Sequence, residues 1–192
     1  MSDLLTFDDS RHEYAFMGAR VPGVTELLRP LVDFSRVPPA VLEAKCDLGR
    51  RVHLACQLDD EKDLDEASVQ DDVAPYLAGW RAFLRDSGAI VVFNEQRVFE
   101  PMFGYAGTLD NVLLFNGQKY VVDKKTSIST PMSAGPQTAA YMRALGDTAI
   151  TRRAAVRLRP DGTYRFDELN GHDDWACFLS CLTLWKFKEK HQ

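Results

Sequence analysis

The chain has 192 residues, of which 45% are hydrophobic and 27% charged, with a formal net charge of −5. These values suit one globular unit with a substantial core and argue against a basic protein that coats nucleic acid by bulk charge. No apolar run approaches a membrane span, and the opening MSDLLTFDDS lacks the basic-then-apolar pattern of a secretory signal, so a cytoplasmic location is expected.

Short strands are predicted over Leu4–Phe7 and Glu13–Phe16, and Pro22-Gly23 leads into a brief helix, Val24–Arg29. Pro38-Pro39 starts a longer helix from Ala40 to about Gln57, with Val41, Leu48, Val52 and Ala55 at helical spacing. Ser68 is expected to cap a third helix running from Val69 to about Asp86, with Gly88 just past its end. The period then changes to two. Ile90–Phe99 reads as a strand, and 107–126 as a hairpin around Asn116-Gly117, a dipeptide suited to the positive φ angles of a type I′ turn. A helix from about Ser133 to Leu145 stops at Gly146. A second hairpin turns at Pro160-Asp161-Gly162 and places Arg153, Arg157, Arg159 and Arg165 on one face. A helix over Asp173–Lys190 closes the chain around Trp175, Phe178, Leu182 and Trp185.

This order predicts an α/β fold with a central mixed β-sheet flanked by helices. Residues 1–192 are expected to form a single domain, with an N-terminal helical region to about residue 88 and a core from about 89 onwards.

Charge is clustered. Asp59 to Asp72 carries eight acids and one lysine, whereas Arg143 to Arg165 holds six arginines. The arginine face of the second hairpin, with Arg50 and Arg51, is a candidate track for a polyanion. Of the four cysteines, Cys177 and Cys181 lie at i, i+4 on an apolar helix and suit buried thiols. An iron–sulfur cluster using all four with Cys46 and Cys56 is disfavoured, because the compact C-x2-C spacing is absent.

The 107–126 hairpin, GTLDNVLLFNGQKYVVDKKT, carries the most chemistry. A two-residue loop pairs Phe115 with Gln118, and counting back sets Asp110 opposite Asp123. Opposed carboxylates repel and call for a cation. Alternation puts Asp123 and Lys125 on one face and Lys124 on the other. Lys125 is therefore the lysine expected to matter, and loss of Lys124 is expected to be much milder.

Four elements in order resemble the PD-(D/E)XK nuclease superfamily, in its RecB-like and phage-exonuclease branch. They are Gly49-x-x-x-His53 on a helix, Gly107-Thr108-Leu109-Asp110, Val122-Asp123-Lys124-Lys125-Thr126, and Gln137-x-x-x-Tyr141. Leu109 stands where that family's name has proline, and Asp123 takes the second acidic position. The resemblance implies a restriction-endonuclease-like core and a metal-dependent deoxyribonuclease, most simply an end-dependent exonuclease of DNA recombination or repair. Asp110, Asp123 and Lys125 would be catalytic. Asp110 and Asp123 would hold one or two Mg²⁺ or Mn²⁺ ions, with His53 and Glu95 as further ligands and Glu100 as a rival to Glu95. Gln137 and Tyr141, at the start of their helix, would hold the DNA strand. Such an enzyme often works with a single-strand annealing protein or a helicase and can be a homo-oligomer. No GxxxxGK[ST] motif is present, so unwinding would need a partner. The alternatives are a structure-specific endonuclease on the same core and a non-catalytic DNA-binding or assembly module.

Overall fold

In the computed structural model, residues 4–9 and 11–191 are described. The chain runs β1 (Leu5–Asp8), β2 (Glu13–Phe16), β3 (Ala19–Val21), α1 (Val24–Leu27), α2 (Pro39–Glu61) and α3 (Ala74–Ser87). It continues β4 (Ile90–Glu100), β5 (Tyr105–Phe115), β6 (Gln118–Lys125), α4 (Ala134–Leu145), β7 (Ile150–Leu158), β8 (Tyr164–Glu168) and α5 (Asp174–Glu189). Among the described residues the strands form a mixed five-stranded sheet in the order β4-β5-β6-β7-β8 and a small sheet β1-β2-β3. The fold is α/β, with helices on both faces of the larger sheet.

Each face of that sheet builds its own core. On one side Val24, Leu27, Leu109, Val112, Val121, Ala140, Tyr141 and Phe178 pack with α1, α4 and α5. On the other, Val52, Cys56, Leu77, Trp80, Phe83, Leu113, Val122 and Val156 pack with α2 and α3. Each fully buried aliphatic side chain here contributes about 1.5–3 kcal/mol. Strand β6 runs antiparallel to β5 and parallel to β7, a connection that needs a crossover, and α4 supplies it.

The N-terminal region is not purely helical. The β1–β3 meander stacks Phe16 on Phe99 with ring centroids 4.0 Å apart, and Gly23 bridges to Ala106 in parallel. Ser68 does not cap α3. It ends a short 3-10 turn, Glu66–Ser68, capped by Asp65, and α3 begins only at Ala74 with Pro75 in its first turn. The sequence pattern alone does not separate the two because Val69 and Val73 both pack inward.

The hairpin turn forms as expected, with Asn116 and Gly117 at φ 50° and 73°. Its ladder pairs Phe115 with Gln118 and continues to Asn111 opposite Val122. There it stops, one pair short of Asp110 and Asp123. The β4–β5 ladder skips the same place, passing from Asn94–Asn111 to Gln96–Leu109 around a Glu95 at φ 46°. Leu109 and Val112 both face the α4 side, so strict alternation breaks between them. A local kink, not an ideal hairpin, presents Asp110.

Candidate functional site

The site grows from this kink. Beyond the last β5–β6 pair, the Lys124 N–H donates to Asp110 Oδ2 at 2.6 Å. The Lys124 carbonyl accepts from His53 Nε2 on α2 at 3.0 Å. A carbonyl can only accept, so Nε2 carries the proton and Nδ1 is the nitrogen turned towards Asp110 Oδ1, 3.4 Å away. One residue of β6, by its N–H and its carbonyl, thus fixes both an acid and an imidazole.

His53, Glu95 and Asp110 each bring one ligand atom within 4.8 Å of the others. Glu95 Oε1 is enclosed and has no hydrogen-bond partner among the described residues. Burial and the neighbouring Asp110 push its carboxyl up to about 7. Burial works against charge on Asp110 too, but His53, Lys124 and Lys125 outweigh it and hold that carboxyl well below the usual range. His53 is raised: burial opposes its charge and Asp110 overcomes it. Two carboxylates and an imidazole form a donor set suited to Mg²⁺ or, with the nitrogen, Mn²⁺. The orphaned Glu95 oxygen fits a ligand atom in want of a cation.

Asp123 was expected in the ligand set and is not one of this group. It lies on the α4 side, fully enclosed, with Oδ2 2.7 Å from Lys125 Nζ. The contact is an ion pair without hydrogen-bond alignment, since Oδ2 has no hydrogen-bonded donor among the described residues. The two acids are not directly opposed. The kink turns Asp110 towards α2 and leaves Asp123 with the lysine, relieving the repulsion that an ideal ladder would impose. Burial raises Asp123, Lys125 counters it, and Asp110 adds to the rise.

Lys125 donates to Gln137 Oε1 at 3.1 Å, and Gln137 Nε2 donates to Tyr141 Oη at 3.4 Å. Gln137 and Tyr141 are 7% and 3% exposed, so they brace the lysine and do not line an open helix terminus. The Gln137 N–H is also engaged, donating to Ser133 O at 2.9 Å. Both observations correct the expectation of a phosphate-binding helix start. Burial disfavours the Lys125 ammonium, but Asp123 and Asp110 raise it above its ordinary range. The side chain therefore stays charged at neutral pH.

The other expected contacts sort differently. Glu100 accepts from Phe103 N at 2.6 Å and closes the β4–β5 turn, which removes it as a rival to Glu95. Arg51 forms a fork onto Asp72 at 2.7 and 2.8 Å and also reaches Asp47 and Gln70, so its guanidinium is not free for phosphate. Arg50 is exposed beside Asp47. In the second hairpin, Arg153 binds Asp174 and the Gly135 carbonyl, and Arg157 binds Asp167 and the Ile128 carbonyl. These two are internal struts, and the proposed arginine track shrinks to Arg50, Arg159 and Arg165, the last of them 3.7 Å from Asp167.

Sequence reasoning missed two contributors. Tyr14, on β2, hydrogen-bonds Thr108 at 2.9 Å, joining the small sheet to the Gly107–Asp110 segment across 94 positions. Lys124 is 0% exposed and sits over the Trp80 ring. Alternation gave its direction; only the packing of α3 shows that this direction leads into a dry interior. The Cys56 thiol nearby is pushed up to about 12 by burial and offers no thiolate.

No known protein family matches the chain, and no curated protein is significantly similar to it.

Proposed function

We propose that the protein is a metal-dependent nuclease of the PD-(D/E)XK type. The observation that carries this reading is the convergence of His53, Glu95 and Asp110 from α2, β4 and β5 beside a separate Asp123–Lys125 pair. One group is suited to a hard cation, and the other to a water or a phosphate oxygen. When bound by His53, Glu95 and Asp110, Mg²⁺ or Mn²⁺ would supply Lewis-acid stabilisation of charge on a phosphoryl oxygen.

The protein's own residues do the rest. The Lys125 ammonium has three N–H donors. One meets Gln137, the Asp123 carboxylate lies alongside, and a further donor remains for an attacking water. A fixed donor of this kind orients the nucleophile and meets developing negative charge without reorganising. Tyr141, braced by packing against Gly107, keeps Gln137 and hence the lysine in place.

Within this class the reading we favour is an end-dependent exonuclease on DNA, acting in recombination or repair. End-labelled linear and closed circular DNA, each incubated with Mg²⁺, Mn²⁺ or EDTA, test it. Metal-dependent loss of linear DNA alone is the expected result, with Asp110→Asn at least about 100-fold slower. Nicking or cutting of circles would make it an endonuclease. Binding of DNA with no cleavage in either metal would remove the enzyme reading.

A further inference from the structure

On α4, Gln137 and Tyr141 face Lys125 and Gly107. At about 3.6 residues per turn, Ala139, Met142 and Arg143 lie about 170° around the helix from them. That far face borders an open cavity of about 960 Å³ between α4, the start of β7 and the loop leading into α5. Its size is at the upper end of the range of about 300–1,000 Å³ common for small-molecule sites. The proposed reaction makes no use of it.

Most of the charge around this cavity is already engaged. Glu100 is 8% exposed and accepts from Phe103 N at 2.6 Å. Asp147 accepts from Lys119 at 2.9 Å, and Arg153 donates to Asp174 at 2.8 Å. Arg143 is different: among the described residues its guanidinium makes no ion pair or hydrogen bond. Aromatic rings hold it. Phe103 and Trp175 meet edge to face, with centroids 5.4 Å apart and planes at 82°, and Arg143 Cζ lies 5.8 Å from the centre of each.

Rings fix the plane of a guanidinium but satisfy none of its N–H donors. A stacked arginine therefore offers a pre-placed fork to an anion, and phosphate matches that fork. Met142, Ile150 and Trp175 give the same cavity an apolar wall suited to a planar ring. The Thr148 and Thr151 hydroxyls, also on its lining, make no hydrogen bond among the described residues.

We propose that this cavity is a binding site for a nucleoside monophosphate, with the phosphate on Arg143 and the base against the apolar wall. Such a molecule is what the proposed exonuclease would release. The choice among planar anions rests on that reading to this extent, whereas the cavity and its arginine do not depend on it.

Isothermal titration calorimetry of the full chain in EDTA tests the site. The titrants are the 5′-monophosphates of deoxyadenosine and thymidine, then deoxyadenosine and inorganic phosphate alone. EDTA keeps metal away from His53, Glu95 and Asp110, and no cleavage is read, so failure here is distinct from failure of the nuclease reading. At least one nucleotide is expected to bind about 10-fold or more tightly than deoxyadenosine or phosphate. Arg143→Gln should weaken that binding about 10-fold or more, and Arg143→Lys should recover only part of it, since an ammonium has no fork. Thr151→Tyr, which fills the cavity from β7, should also abolish it. Amide shifts in NMR should centre on Gly146, Thr151 and Gly171. Shifts centred on Lys124 and Lys125 would assign the nucleotide to the acid cluster and overturn the proposal. Phosphate binding as tight as nucleotide binding, indifference to Arg143→Gln, or no binding of either nucleotide at millimolar concentration would also overturn it. If neither nucleotide binds but Arg143→Gln weakens binding of single-stranded DNA, the guanidinium is a strand contact and the cavity is no nucleotide site.

Discussion

Three buried groups in and beside the cluster shift in the same sense, and the consequence is a pH dependence opposite to that of an ordinary acid-rich protein. Glu95 sits at about 7 against an ordinary 4.5, so between those values the folded state keeps a proton that the unfolded chain has lost. Its contribution to stability is complete below about 4.5 and disappears as pH rises through about 7. Asp123 and His53 are also raised and act with the same sign. Asp110 is lowered and acts oppositely, but only as pH falls below the ordinary carboxylate range. In EDTA the melting temperature should therefore fall from pH 5 to pH 8, and Glu95→Gln should flatten that slope. A flat or rising wild-type profile would contradict the burial of Glu95. At this scale the sequence was informative about which residues meet: His53, Glu95, Asp110, Asp123 and Lys125 were all legible. Their partition was not. It depends on the kink at Glu95 and Asp110, where two ladders lapse together, and no local residue preference announces it.

Among the elements, α4 and β5 are held closest where the site needs them. A Cβ at Gly107 would lie 2.6 Å from Tyr141 Cε1 and 3.2 Å from Val24 Cγ2. Both neighbours are buried, so neither ring nor methyl can give way freely. Gly107→Ala should cost about 1–3 kcal/mol in chemical denaturation and lower kcat by moving Tyr141 and Gln137 off Lys125. Gly49 is the contrast. A Cβ there meets only Thr126 Oγ1 at 3.9 Å, and in mid-helix Gly49→Ala should stabilise by up to about 1 kcal/mol. Equal destabilisation by the two would mean that the α4 packing is misread. Both glycines stood in recognisable motifs, yet the sequence does not distinguish them, because close approach is a property of the partner element. The same limit explains α3, where Ser68 looked like a cap and the start of the helix was decided by Pro75 and the turn before it.

Over the whole molecule, several arginines that the sequence offers as cations are committed to carboxylates of the protein itself. Arg51, Arg81, Arg153 and Arg157 are all paired with carboxylates, which turns a sequence-level basic cluster into scaffolding. If DNA is the substrate, as proposed, fewer of the expected arginines remain near the site to displace its counterions. The logarithm of DNA affinity against the logarithm of salt concentration should accordingly slope by no more than about −3. A slope near −8 would show a phosphate track not recognised in this fold. Helix and strand identities were largely readable from periodicity, but strand order was not: the parallel pairing of β6 with β7 follows from the α4 crossover. Arg153 and Arg157 likewise read as surface residues, because Asp174 arrives from α5 and Asp167 reaches Arg157 diagonally from β8.

The β5–β6 seam ends on a side chain: beyond Asn111 and Val122, the Lys124 amide is held by the Asp110 carboxylate. That proton is a built-in reporter. Its chemical shift and its exchange with solvent follow a single oxygen atom of the acid cluster, so any ligand that draws Asp110 Oδ2 away loosens the last rung of the sheet and is registered at a backbone position. The state of Asp110 Oδ2 and the closure of the β5–β6 seam are, at that one amide, read out together.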